Sequence, residues 1–147
     1  MKKTDFLIKL MLICLFLTTD VIASNSDFFE KGKKFFTNKK FDKSKIFFER
    51  DIVFNPKNEK SYLYLAKIFD EKENDDEQEK NLQNVLLLDP KNDEAIYMLT
   101  LLKIRQSNYD DAKKLIDKFV LVCKKFCSKK NEMNDKLNKL TPENVKD

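Results

Sequence analysis

Residues 55–92 read NPKNEKSYLYLAKIFDEKENDDEQEKNLQNVLLLDPKN, a stretch that opens and closes on nearly the same tetrapeptide. Asn55-Pro56-Lys57-Asn58 returns as Asp89-Pro90-Lys91-Asn92, with the two prolines 34 residues apart. Between them, Tyr62, Leu65, Ala66 and Phe69 share one face at helical spacing. Glu73-Asn74-Asp75 breaks that face with a polar turn, and a second helix is predicted over 75–88 before Pro90 stops it. Helix, turn, helix and proline at a fixed period are the marks of an internal repeat.

The period extends in both directions. Phe41-Asp42-Lys43-Ser44-Lys45 recurs two periods later as Tyr109-Asp110-Asp111-Ala112-Lys113. Three units follow, at residues 25–58, 59–92 and 93–126, with helices predicted near 27–37, 42–54, 59–72, 75–88, 93–106 and 109–124. Asn38-Lys39-Lys40 and Ser107-Asn108 supply the other two intra-unit turns. One helix pair cannot bury its own apolar face, so stacking of units must supply the core. Met133, Leu137 and Leu140 then form a single stripe at i, i+4 and i+7, which predicts a terminal covering helix over 128–141. Pro142 ends it, leaving 142–147 as a frayed tail.

Composition narrows the function. The chain has one Gly, three Pro and 37% charged residues, which leaves amphipathic helices as its main route to a fold. Its 41% hydrophobic content and thirteen Phe are enough for a core. The formal charge of +4 is spread among interspersed acids and bases, without the basic stripe of a nucleic-acid binder. There is no His, which removes the usual general base and most zinc sites. Gly32-Lys33 lacks the upstream glycine of a phosphate loop. The pairs Asp75-Asp76 and Asp110-Asp111 sit where helices begin and complement the helix dipole. No catalysis, cofactor, metal, nucleic acid or small-molecule substrate is expected.

These repeats resemble the tetratricopeptide repeat family over nearly all of the chain beyond residue 24. The large positions of the first helix read Phe28, Tyr62 and Ile96, and the small ones Gly32, Ala66 and Thr100. The next aromatic positions read Phe35, Phe69 and Lys103. In the second helix the small positions are Ser44, Gln78 and Ala112, and the large ones Phe48, Leu82 and Ile116. Pro56 and Pro90 close the first two units, whereas Lys124 stands in the third. Gln78 departs from the family pattern, as do Asp51, Val85 and Phe119 where a small residue is usual, and such changes should loosen or reshape inter-helix contacts.

The resemblance implies an all-α, right-handed solenoid whose concave groove holds another protein. The groove residues it implies are Phe29, Lys33, Phe36, Leu63, Lys67, Tyr97, Leu101 and Arg105, with core filling as the competing role for Phe29 and Phe36. Cochaperones of this family clamp acidic C-terminal tails, but the corresponding positions here are Phe29, Lys33, Tyr64, Glu94 and Met98, and Glu94 would repel a carboxylate. The alternative reading is a structural subunit of an envelope assembly that docks through its ends or convex face.

The first residues read as an address. Lys2, Lys3 and Lys9 precede the apolar run Leu10 to Leu17, and Val21-Ile22-Ala23 makes a cleavage site before Ser24. Eight apolar residues span about 12 Å as a helix, well short of a bilayer core. Residues 1–23 are therefore expected to be a signal peptide, and the product to reside in the bacterial periplasm or cell envelope. Membrane association would follow only from an uncleaved signal or a lipid on Cys14. Export permits a disulfide between Cys123 and Cys127. Residues four apart in a helix hold their Cβ atoms about 5–6 Å apart, beyond the ~4 Å a disulfide needs. Either the helix unwinds there, or it runs on through Cys127 with both thiols free.

Overall fold

The computed structural model describes residues 27–140. The expectations for residues 1–23, Cys14 and 142–147 lie outside the described residues. Within them are seven α-helices and no strand: α1 Asp27–Thr37, α2 Phe41–Phe54, α3 Glu59–Glu71, α4 Asp75–Leu88, α5 Asp93–Arg105, α6 Tyr109–Val122 and α7 Lys130–Leu140. A short 3-10 turn, Cys127–Lys129, precedes α7. Packing is tightest within the pairs α1/α2, α3/α4 and α5/α6; α2 then rests on α3, α4 on α5, and α7 on both α5 and α6. The six paired helices end within two residues of the limits read from periodicity.

Each pair is folded over by the same turn. Lys39, Glu73 and Ser107 take φ of 55°, 54° and 58°, the left-handed conformation that usually falls to glycine. The backbone N–H groups of Lys40, Asn74 and Asn108 reach back to the carbonyls of Phe35, Phe69 and Lys103 at 2.9, 2.9 and 2.8 Å. This is the Schellman pattern, and it recurs at the repeat period. Asn58, Asn74, Asn92 and Asn108 cap α3 to α6 with their side-chain oxygens. A chain with a single glycine thus builds its turns from asparagine caps and left-handed residues that carry side chains.

That glycine is used where helices touch. A Cβ on Gly32 would stand 2.7 Å from Phe48 Cε1, and the Ser44 hydroxyl donates to the Gly32 carbonyl at 2.8 Å. Ala66 and Ala112 fill the equivalent small positions with no exposed surface, while Pro56 and Pro90 sit exposed in the turns after α2 and α4.

Departures from the repeat pattern do not loosen the stack; three of them tie neighbouring pairs together. Asp51, fully buried, accepts from Ser61 Oγ at 2.5 Å and Asn58 Nδ2 at 2.7 Å, joining α2 to α3. Gln78 Oε1 accepts from Arg105 Nη2 at 2.7 Å, and Lys103 Nζ donates to Glu79 at 2.6 Å, joining α4 to α5. A buried carboxylate or amide is tolerated because each is paired. Val85 and Phe119 are fully buried and act as core.

The chain after α6 settles the cysteine question. Helix α6 stops at Val122, and Cys123 and Cys127 are joined by a disulfide with their Cα atoms 5.2 Å apart. The helix therefore does not run on through Cys127. Asp93 Oδ2 accepts from the backbone N–H of Lys124, Lys125 and Phe126 at 2.7, 2.6 and 3.0 Å, which satisfies donors that a continued helix would have bonded internally. Burial raises the Asp93 pKa, but those three donors outweigh it and hold the carboxyl below its usual range.

Candidate functional site

Helices α1, α3, α5 and α7 stand side by side and present one continuous face. Ion pairs stitch its floor: Lys67 to Glu94 at 2.7 Å and Arg105 to Asp70 at 3.3 Å both bridge α3 and α5. Two clefts open on this face. The larger, about 670 Å³, is lined by Asp70 of α3, by Tyr97, Met98, Leu101 and Arg105 of α5, and by Lys136 and Leu140 of α7. The smaller, about 430 Å³, holds Lys60, Leu63, Tyr64, Lys67 and Glu94, with Lys124, Lys125 and Phe126 from the disulfide loop. Tyr97 lines the first and Phe126 the second; their rings meet at 5.9 Å and mark the divide.

The eight groove residues read from the sequence do not converge on one place. Tyr97, Leu101 and Arg105 line the larger cleft, while Leu63 and Lys67 belong to the smaller. Leu63 is 8% exposed and serves the core beneath that cleft rather than standing in it. Phe29, Lys33 and Phe36 lie apart on α1. The Phe29 ring packs on Phe48 and Tyr64, each at 5.8 Å, and Phe36 meets Tyr64 at 5.1 Å and Phe41 at 5.5 Å. Both rings are half-buried because Tyr64, lodged against Phe48, draws them into an aromatic cluster.

The basic candidates are already paired. Lys33 meets Glu30 at 3.2 Å and sits over the Phe29 ring, and Lys67 sits over Tyr64 while bonded to Glu94. Arg105 donates to Asp75 at 2.8 Å and to Gln78 at 2.7 Å. Burial lowers the Arg105 pKa, but Asp75 and Asp70 more than reverse this and hold it above the ordinary value. None of the three is a bare charge aimed at a ligand. Lys67→Glu would set two carboxylates face to face, so it should weaken the α3–α5 junction and not merely slow an encounter.

Lys136 and Leu140 had no place among the groove residues, because the stripe Met133–Leu137–Leu140 reads as one inward face. Met133 and Leu137 are buried in the core shared with α5 and α6, but Leu140, in the last turn of α7, is 53% exposed and forms the cleft wall. The anchor of α7 is Glu132, which accepts from Tyr97 Oη at 2.9 Å and from Lys129 and Lys136 Nζ at 2.9 and 3.2 Å. Tyr97 thus holds the terminal helix in place. The hydrogen bonds from Lys129, Tyr97 and Lys136 pull the Glu132 carboxyl from 4.5 down to about 2. A carboxyl depressed on folding stabilises the fold above its unfolded pKa and ceases to do so as pH falls through the folded one. The stability gap between the parent and Glu132→Gln should therefore be full near neutrality and close between about pH 5 and pH 2. Urea unfolding of both proteins across that range measures it; a pH-independent gap would show that the carboxylate is not the anchor.

No family model matches this sequence, and no curated protein matches it. Solved structures do match the fold. The TPR2B domain of yeast Sti1, in a complex with pHsp70, superposes with a TM-score of 0.74 at 14% identity, covering 80% of this chain and 98% of that one. The TPR domain of Arabidopsis OM64 gives 0.71 at 20% identity, over 79% and 95% of the two chains. The first TPR domain of Spaghetti (RPAP3), bound to the HSP90 peptide SRMEEVD, gives 0.69 at 17% identity, over 77% and 90%. The described chain therefore has the fold of these TPR domains, an all-helical solenoid of antiparallel helix pairs.

Proposed function

We propose that this chain is a non-catalytic adaptor that holds a segment of another protein in the cleft between α5 and α7, after export to the bacterial cell envelope. The cleft itself carries the reading: Met98, Leu101 and half-exposed Leu140 face one another across it, with Asp70, Arg105 and Lys136 around them. Apolar anchors in a concave, water-excluding site supply most of the affinity of such contacts. Sti1 and Spaghetti, which share the fold, are complexed with pHsp70 and an HSP90 peptide. The segment suited to this chain differs in chemistry from an acidic tail, because Glu94 already occupies Lys67 and Arg105 is shared among Asp70, Asp75 and Gln78. It should carry spaced apolar side chains and little net charge.

A photo-crosslinking residue at Met98, placed in the full chain in its own cells, tests this. An adduct to a second protein is expected, absent when the same probe replaces exposed Ile46 on α2. Leu140→Asp should weaken the purified complex by about tenfold, or about 1–2 kcal/mol, without altering the fold. An adduct that forms equally from position 46, or that survives Leu140→Asp at parental affinity, would remove the cleft from consideration. The intact mass of the same purified protein reads its start: Ser24 accords with export and cleavage, whereas Met1 or a lipid on Cys14 contradicts it.

A further inference from the structure

A second surface lies at the far ends of the even-numbered helices. Val53, Leu87 and Leu121 are 77%, 79% and 85% exposed and stand at the repeat period, one near the C-terminus of each of α2, α4 and α6. Phe54, Leu88 and Val120 beside them are also exposed, at 54%, 38% and 45%. A single exposed leucine needs no explanation, but a row kept in three successive helix pairs does. Four residues further on, at the same period, stand Lys57, Lys91 and Lys125, all exposed and in no ion pair among the described residues. Lys124 adds to this rim, and with Lys91 and Lys125 it also borders the smaller cleft.

Glu59, Asp89, Asp93 and Glu94 border the same cleft as Lys91 and Lys125, and Glu94 is paired with Lys67. Asp89 accepts from the backbone N–H of Lys91 at 3.1 Å, and Asp93 is held by the three N–H groups of the disulfide loop. One turn back from the apolar row, on the same helix faces, stand Glu49, Gln83 and Asp117, with Arg50, Asn84 and Lys118 beside them. Behind the row the charges balance, Glu49 and Asp117 against Arg50 and Lys118, while the rim beside it carries Lys57, Lys91 and Lys125.

We propose that this edge docks on an anionic lipid surface, with Val53, Leu87 and Leu121 dipping into the headgroup layer and Lys57, Lys91 and Lys125 against the phosphates. Apolar side chains flanked by lysine are the combination that binds an anionic bilayer interface. A second copy of the chain fits less well, since it would bring two lysine rows along one seam. Phe28 at the start of α1 stacks on Phe54 at 5.5 Å and extends the apolar row at its first pair. The proposal is independent of the cleft between α5 and α7.

The test uses the chain as purified from its cells, sedimented with vesicles of phosphatidylcholine alone or with phosphatidylglycerol added. The parent should bind the anionic vesicles at least tenfold more tightly than the neutral ones. Leu87→Asp with Leu121→Asp should lower that binding by about tenfold or more, and Lys57→Glu, Lys91→Glu and Lys125→Glu together should abolish the preference for phosphatidylglycerol. All five positions are exposed, so melting is expected to match the parent, and the single change Lys91→Glu serves if the triple variant misfolds. The proposal is overturned if the parent ignores the vesicles, or if parent and variants bind alike. It is equally overturned if light scattering finds a dimer that the leucine changes dissolve, or if a protein partner seated on the row is released by them while vesicle binding stays.

Discussion

Gly32→Leu is expected to lower stability by about 3 kcal/mol or more, near the upper end of what overpacking a core produces. Even a lone Cβ at this position shows why: it would meet three atoms of the Phe48 ring at 2.7, 2.8 and 2.9 Å. Phe48 cannot give way, because it is fully buried, stacked on Tyr64 at 4.9 Å and packed against Phe29. The backbone cannot move alone either, since the Gly32 carbonyl is held by Ser44. The strain is relieved by parting α1 from α2, and in a stacked repeat the damage should stay near that end. Urea unfolding should show an early transition, with loss of the near-ultraviolet signal of the aromatic cluster. Gly32→Ala should show a smaller loss in the same direction. Parental melting of both variants would mean that the two helices do not cross here.

Loss of the terminal helix should be as damaging. Met133 is fully buried and Leu137 is 5% exposed, both inside the cluster of Ile96, Ile104, Ile116 and Phe119. Each buried side chain of this kind is worth about 1.5–3 kcal/mol, so deleting residues 128–147 should remove about 3–6 kcal/mol. It also uncovers the outer face of the last pair, an exposed apolar patch that invites association. Light scattering and urea unfolding check both effects. A monomeric truncation with the parental midpoint would show that α7 is not part of the core. Met133→Ala isolates the packing contribution, with a loss of about 2–5 kcal/mol.

The two predictions differ in how far the sequence alone leads to them. Gly32 stands out as the lone glycine on an apolar face, in register with Ala66 and Thr100, and its need for a bare Cα follows from that spacing. The inward turn of Met133 and Leu137 likewise follows from their i, i+4 interval. Leu140 continues the same stripe at i+7 yet lines the cleft between α5 and α7, half exposed in the last turn of the helix. Periodicity says which face a residue is on, not whether something lies opposite. For the same reason Phe29 and Phe36 read as groove residues until Tyr64 is seen drawing both rings toward Phe48. The exposed row of Val53, Leu87 and Leu121 could have been found from the 34-residue period, but apolar residues in a helix are read as core unless burial says otherwise.

Local and periodic signals, namely helix limits, capping asparagines, closing prolines and the small residues at crossings, were determined by the sequence itself, since each depends on residues within a few positions or one period of another. Only the tertiary structure decided what depends on a partner far along the chain. Asp51, Gln78 and Lys103 look like faults in a repeat and become ties between pairs once Ser61, Arg105 and Glu79 are brought beside them. Asp93 shows the same thing most plainly. Its carboxylate, 31 residues from Lys124, ends α6, collects three N–H groups and leaves Cys123 and Cys127 close enough to bond. A hydrogen bond formed across that distance is a property of the stacked solenoid, and no local pattern encodes it.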